Sequence, residues 1–156
     1  MSDLDLREEP YDGPSAQRLV DAVQREYVSR YGGPDGTPVE PAEFAPPGGR
    51  FVVGYLDTTA VAMGGLRLRA ADTAEIKRMF VLAEYRGRGL SRLVLDRLET
   101  LAAGMGAHRV ILETGMGQPE AMQLYETSGY ERIEPFGYYR DEPLSVSYGK
   151  TLSPLT

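Results

Sequence analysis

Arg86, Arg88 and Arg92 surround two glycines, Gly87 and Gly89, in the stretch RGRGLSR at the mouth of an apolar, helix-patterned run. Guanidinium groups stay charged at physiological pH and grip phosphate through paired N–H donors. Glycine takes positive φ without steric cost and lets backbone approach a ligand closely. A helix start adds unpaired N–H groups and the positive end of the helix dipole. Together these features describe an anion site, and a phosphate or pyrophosphate is the expected ligand. The spacing is not that of a Walker loop, which needs Gly-Lys-Ser/Thr. Nor is it a dinucleotide fingerprint, which needs a third glycine after Leu90.

Other chemistries are narrowed by what the chain lacks. It has no cysteine and one histidine, His108, so disulfides, thiolate metal sites, a cysteine nucleophile and an imidazole-rich metal cluster are excluded. A net charge of −6 argues against a nucleic-acid binder, whose footprint is a basic face. At 156 residues and 42% hydrophobic, the chain suits one domain with a full core. The charged start MSDLDLREEP lacks the apolar run of a signal peptide, and no stretch is long and apolar enough to span a membrane. The expectation is a cytoplasmic protein.

The elements that must position the anion turn follow from periodicity. Ser15 reads as an N-cap before Ala16, Leu19, Val20, Val23 and Tyr27, which recur at helical spacing. Residues 31–50 are too dense in proline and glycine for regular structure and read as a long binding loop. FVVGYL (51–56) and AVAMGGLRLR (60–69) flank Asp57, Thr58 and Thr59 as a hairpin, and AEIKRMFVL (74–82) reads as a third strand. From Leu90, the residues Leu93, Val94, Leu98, Leu101 and Ala102 form one helical stripe. RVILE (109–113) is a short buried strand, so strand, helix, strand implies a parallel pair. A helix follows, with Pro119 in its first turn and Gly129 past its end; YERI (130–133) and LSVSYGK (144–150) close the chain as strands.

Two motifs then become specific. MFVLAEYRGRGLSRLVL resembles motif A of the GCN5-related N-acetyltransferases (GNAT), with Arg86, Gly89 and Ser91 at the positions of Arg or Gln, Gly, and Gly or Ala. QPEAMQLYETSGY resembles motif B, where Ala121, Leu124, Tyr125, Gly129 and Tyr130 match and Gln118 stands where Asn is usual. The resemblance covers roughly residues 50–150, with motif A at about 74–106 and motif B at about 109–133. It implies an α/β (α+β) fold, a single domain over residues 1–156 whose mixed central sheet carries a splayed parallel strand pair and about four flanking helices.

The resemblance also implies the chemistry. Acetyl-CoA is the cosubstrate and no metal is used. Its pantetheine would lie as a pseudo-strand against Met79, Phe80 and Val81, and its pyrophosphate on the turn Arg86, Gly87, Arg88, Gly89, Leu90 and Ser91, with Gln118 nearby. Tyr125 occupies the place of the acid that protonates the leaving thiolate, and Glu75 that of the base. Tyr138 and Tyr139 fall where the acceptor site is often built. The implied activity is acetyl transfer by direct attack in a ternary complex to a primary amine of a small molecule or peptide. The alternative is a catalytically weak acyl-CoA-binding regulatory module. Neither nucleic acid nor membrane is an implied partner, and a homodimer is compatible with the chain. The acceptor loops contribute Asp35, Glu40, Glu43, Glu134, Asp141 and Glu142 against Arg50 and Arg140, so a negative field that favours cationic amines is expected there.

Overall fold

The computed structural model describes residues 3–152. Seven strands form one mixed sheet: β1 (Asp5–Glu8), β2 (Gly49–Leu56), β3 (Thr59–Ala70), β4 (Thr73–Val81), β5 (Arg109–Gly115), β6 (Glu131–Ile133) and β7 (Ser145–Thr151). Their order is β1-β2-β3-β4-β5-β7-β6, and β4 with β5 is the parallel pair. Three α-helices are found among the described residues, α1 (Pro14–Tyr31), α2 (Leu90–Gly104) and α3 (Pro119–Thr127), instead of about four. Residues 31–50, expected as a loop, carry a 3-10 turn at Pro41–Phe44. A strand at Asp5–Glu8, which the charged N-terminal sequence did not suggest, pairs with β2 along the sheet edge.

Helix α1 starts two residues earlier than an N-cap at Ser15 implies. Gly13 is the N-cap and Pro14 fills the first turn, where a missing N–H is harmless. The Ser15 hydroxyl instead accepts a hydrogen bond from Tyr55 at 3.0 Å. Strand alternation divides the core between the two faces of the sheet. One cluster joins Val52, Leu66, Ile76, Leu112 and Tyr148 to Val94, Leu95 and Leu98 of α2 and Tyr125 of α3. The other joins Phe51, Val53, Met63 and Phe80 to Leu19, Val20 and Val23 of α1 and to Phe44 of the 3-10 turn. No helix among the described residues is long and apolar enough to cross a membrane.

The β3–β4 register sets Arg67 directly opposite Glu75. Glu75 is 1% exposed and its Oε1 accepts from Arg67 Nε at 3.0 Å and Arg69 Nη1 at 3.4 Å; Arg67 also reaches Glu43 at 3.2 Å. One oxygen of the buried carboxylate is therefore shared by two guanidiniums, and Arg67 tethers the 3-10 turn to the sheet through Glu43. Removing one partner of such a group strands the others without their counter-charge.

Two stability predictions follow from this packing. Leu98→Ala deletes a fully buried side chain of α2 and should lower the unfolding free energy in urea by about 3 kcal/mol. Glu75→Gln should cost a similar amount, about 3 kcal/mol, by leaving Arg67 underpaired. It should leave acetyl-CoA affinity unchanged by calorimetry; a variant with wild-type stability and abolished turnover would instead return Glu75 to catalysis.

Candidate active site

The parallel pair holds for three residues only: Thr73 with Arg109, Ala74 with Val110, and Glu75 with Ile111. Beyond that point β4 runs on to Val81 and β5 to Gly115 without pairing to each other, and a cleft of about 490 Å³ opens between them. A bulge in β4 sharpens the opening. The register with β3 jumps from Met63–Phe80 to Gly65–Lys77, which puts an extra residue on β4, and Arg78 takes φ 61° there. The bulge also inverts the alternation, so that Ile76 before it and Val81 after it join the same core cluster.

At one end of the cleft lies the glycine turn. Gly87 has φ 82° and Gly89 φ 77°, and a Cβ built on either would meet nothing within 4 Å, so the space above the turn is open. Gly89 is the N-cap of α2, no side chain caps the helix, and the first bond across this end is Leu93 N–H to Gly89 C=O at 3.3 Å. The N–H groups of the first turn, Leu90 and Ser91 among them, thus lack intrahelical acceptors. This is a fit for a pyrophosphate. The Arg86 N–H is already given to Ala83 at 3.3 Å, so it does not belong to that set.

The three arginines have separate tasks. Arg86 donates from Nε to the Val81 carbonyl at 3.0 Å and pairs with Glu26 of α1 at 2.8 Å, which fastens the turn to both β4 and α1. Arg88 lies outside the cleft lining with its guanidinium 5.2 Å from the Tyr85 ring centroid. Arg92 donates to Ser128 and Thr127, each at 2.9 Å, and ties α2 to the end of α3. Of the pantetheine edge, Met79, Phe80 and Val81 all line the cleft. The Val81 carbonyl is engaged by Arg86.

Gln118 is the N-cap of α3 and also lines the cleft; its Oε1 accepts from Tyr31 at 3.3 Å and Thr114 at 3.5 Å. Arg30 pairs with Glu120 at 2.6 Å and donates to the Gly117 carbonyl at 2.6 Å, so the end of α1 is bolted to the start of α3. Tyr125 packs its ring 5.7 Å from Tyr130 and 5.8 Å from Tyr148, and the side chain borders the cleft. Its hydroxyl takes part in no hydrogen bond among the described residues. Burial, reinforced by Tyr148, pushes its pKa well up, so the hydroxyl keeps its proton.

Glu75 does not line this cleft. It belongs to a second pocket of about 280 Å³, bordered also by Arg67, Arg69, Glu43 and Tyr138. The acids that do face the cleft come from elements far apart in sequence. Asp35, after α1, accepts from Arg78 Nη1 at 2.7 Å and from the Tyr139 hydroxyl at 2.6 Å. Lys77, 8% exposed, donates to Thr37 at 3.1 Å and lies 3.9 Å from Asp35 and 4.0 Å from Glu113. Glu113 of β5 lines both pockets. Tyr139 lines the first and Tyr138 the second, where it is largely exposed.

Charges in this cluster perturb one another. Burial would raise the Asp35 carboxyl, but Lys77 and Arg78 outweigh it and hold the group below its ordinary range. Burial lowers the Lys77 ammonium against the pull of Asp35, Glu75 and Glu113, and raises Glu113 against the pull of Lys77. Tyr139 is pushed up to about 12, by burial and by its hydrogen bond to Asp35. The expected negative field is correspondingly reduced. Asp35 is offset by Arg78 and Lys77, Glu43 by Arg67, and Glu43 further serves as an acceptor for the Glu40 N–H at 2.8 Å. Glu142 remains on the cleft wall.

This architecture matches known proteins. The profile of the acetyltransferase (GNAT) family matches residues 16–130. An IAA acetyltransferase of Azospirillum brasilense is 33% identical over 150 residues, covering 94% of this chain and 95% of that protein. Among solved structures, a PaiA N-acetyltransferase of Thermoplasma acidophilum in complex with coenzyme A has a TM-score of 0.73 at 13% identity, covering 96% of this chain and 99% of that one. A GNAT acetyltransferase of Elizabethkingia anophelis with acetyl-CoA bound has a TM-score of 0.71 at 13% identity, covering 96% and 98%. With the splayed pair, the uncapped glycine turn and a family match across both motifs, this chain belongs to the GNAT family and is an acetyl-CoA-dependent N-acetyltransferase.

Proposed function

We propose that the chain transfers acetyl from acetyl-CoA directly to a primary amine of a small molecule or peptide, with both substrates bound together, as a single cytoplasmic domain. The observation that supports this reading is the single continuous cleft, which joins an uncapped anion turn, an unpaired strand edge and a protonated tyrosine hydroxyl. The amides from Gly87 to Ser91 would hold the pyrophosphate. The edge of Met79 to Val81, apart from the Val81 carbonyl that Arg86 holds, would take the pantetheine as an added strand. A strand amide beyond the bulge would polarise the thioester carbonyl as the amine attacks. Tyr125 would donate its proton to the departing sulfur. A cysteine acyl-enzyme is closed to this chain, which has no cysteine, so direct attack is the simpler route.

An acyl-CoA-binding module without turnover is the outcome to exclude. Thiol release should be followed with acetyl-CoA against a panel of amines. Release with at least one acceptor supports the transferase, and tight acetyl-CoA binding with no release on any of them supports the module.

Two substitutions test the residue roles. Gly89→Glu places a side chain and a negative charge in the open space above the turn, at a φ that disfavours any L side chain. Acetyl-CoA affinity should fall at least about tenfold, or ~1.4 kcal/mol. Unchanged affinity in the folded variant refutes the pyrophosphate assignment. Tyr125→Phe keeps the packed ring and loses only the hydroxyl. Turnover should fall about 100-fold while the KM for acetyl-CoA moves little. Equal turnover in the two proteins would leave Tyr125 with packing alone.

A further inference from the structure

Glu113 is the one acid that stands on the splayed arm of β5, two residues beyond the last β4–β5 pair, and borders the cleft and the second pocket alike. Its side chain is 3% exposed. Oε2 accepts the Tyr139 N–H at 3.1 Å, and Oε1 is buried with no hydrogen-bond partner. Gly137 closes over the carboxylate so tightly that any side chain there would collide with it, which fixes the orientation of the group. A buried carboxylate oxygen left without a donor is costly unless a ligand supplies one. The ligand that suits it is an N–H donor.

Glu75, equally buried, differs in that its Oε1 already accepts from Arg67 and Arg69 and in that it lies outside the cleft. We propose that Glu113 receives the acceptor's primary amine on Oε1 and takes its proton. The assignment rests on the transferase reading above. The groups facing Glu113 are Lys77 and Glu75 from β4, Asp35 from the segment after α1, and the Tyr139 N–H from the loop before β7. Lys77, with Nζ 4.0 Å from Oε1, disfavours a second cation beside it and so helps an incoming ammonium give up its proton. Burial raises Glu113, which makes it a better base than an exposed carboxylate.

The proton balance closes. The ammonium passes one proton to Oε1 and becomes a neutral amine. Its lone pair forms the C–N bond as the thioester C–S bond breaks, and the electron pair leaves with sulfur. Sulfur takes the Tyr125 proton; of the two protons then on the acylated nitrogen, one restores the phenol and the other stays as the N–H of the product amide. Glu113 then returns its proton to solvent, so each turnover releases one.

The test uses an amine that the wild-type protein acetylates, with kcat and kcat/KM measured from pH 5 to pH 10 for wild type, Glu113→Gln and Glu113→Ala. Glu113→Gln should lose about 100-fold in kcat at neutral pH, with acetyl-CoA affinity unchanged by calorimetry. Its activity should no longer level off as pH rises but should climb toward the amine's own pKa. Added formate should restore part of the activity of Glu113→Ala in proportion to its concentration, an effect that a merely structural role would not produce. Wild-type turnover with an unaltered rate and pH profile in Glu113→Gln overturns the assignment alone. Tight acetyl-CoA binding with no turnover of any amine by the wild type overturns the transferase reading and the assignment with it.

Discussion

Parallel pairing of β4 with β5 stops after Glu75 and Ile111, and the rest of the molecule is organised around that interruption. A sheet interior normally leaves no backbone edge unpaired, because each buried N–H or C=O without a partner is expensive. Here the edge is kept open by the bulge at Arg78, whose positive φ is a strained choice for a non-glycine residue. The strain is held in place by the Arg78–Asp35 ion pair at 2.7 Å, which also anchors the loop after α1. Opening the sheet, seating that loop and aligning the cleft wall are thus one event.

The two ends of the opening are closed by different means. Towards the glycine turn, Arg86 joins β4 to α1 through the Val81 carbonyl and Glu26. Towards α3, Arg30 and Tyr31 of α1 engage Glu120, Gly117 and Gln118. Helix α1 therefore spans the splayed strands and prevents them from drifting further apart. What it leaves uncovered is the start of α2, where unpaired amides and open space coincide.

Charge is distributed around the cleft by necessity as much as by function. Lys77, Arg78 and Glu113 on their strands and Asp35 in the loop after α1 are all drawn out of water, and ions so placed persist only when paired. Asp35 pairs with Arg78, and Glu75 with Arg67 and Arg69, at 3.4 Å or less. Glu113 and Lys77 do so incompletely, at 4.0 Å, and that shortfall leaves chemical capacity at this point of the cleft.

What the sequence by itself determined is the part encoded by neighbours along the chain. The glycine turn, the stripe of α2, Pro119 and Gly129 around α3, and the succession of β2 to β7 along the chain all rest on spacings of a few residues, and the two family motifs are runs of the same kind. That Tyr125 borders the cleft was legible because it sits inside such a run. The β3–β4 hairpin register could have revealed Arg67 opposite Glu75, since only a short turn separates the two strands, yet the bulge near Leu68 makes that register uncertain to count. The cluster of Asp35, Lys77, Arg78, Glu113 and Tyr139 was decided by tertiary structure alone. Asp35 is 43 positions from Arg78 and 104 from Tyr139, and nothing local in the chain records that pairing. The same holds for which carboxylate faces the cleft: Glu75 and Glu113 are both acids on strands, and only folding shows that one meets two guanidiniums while the other is left with a free oxygen.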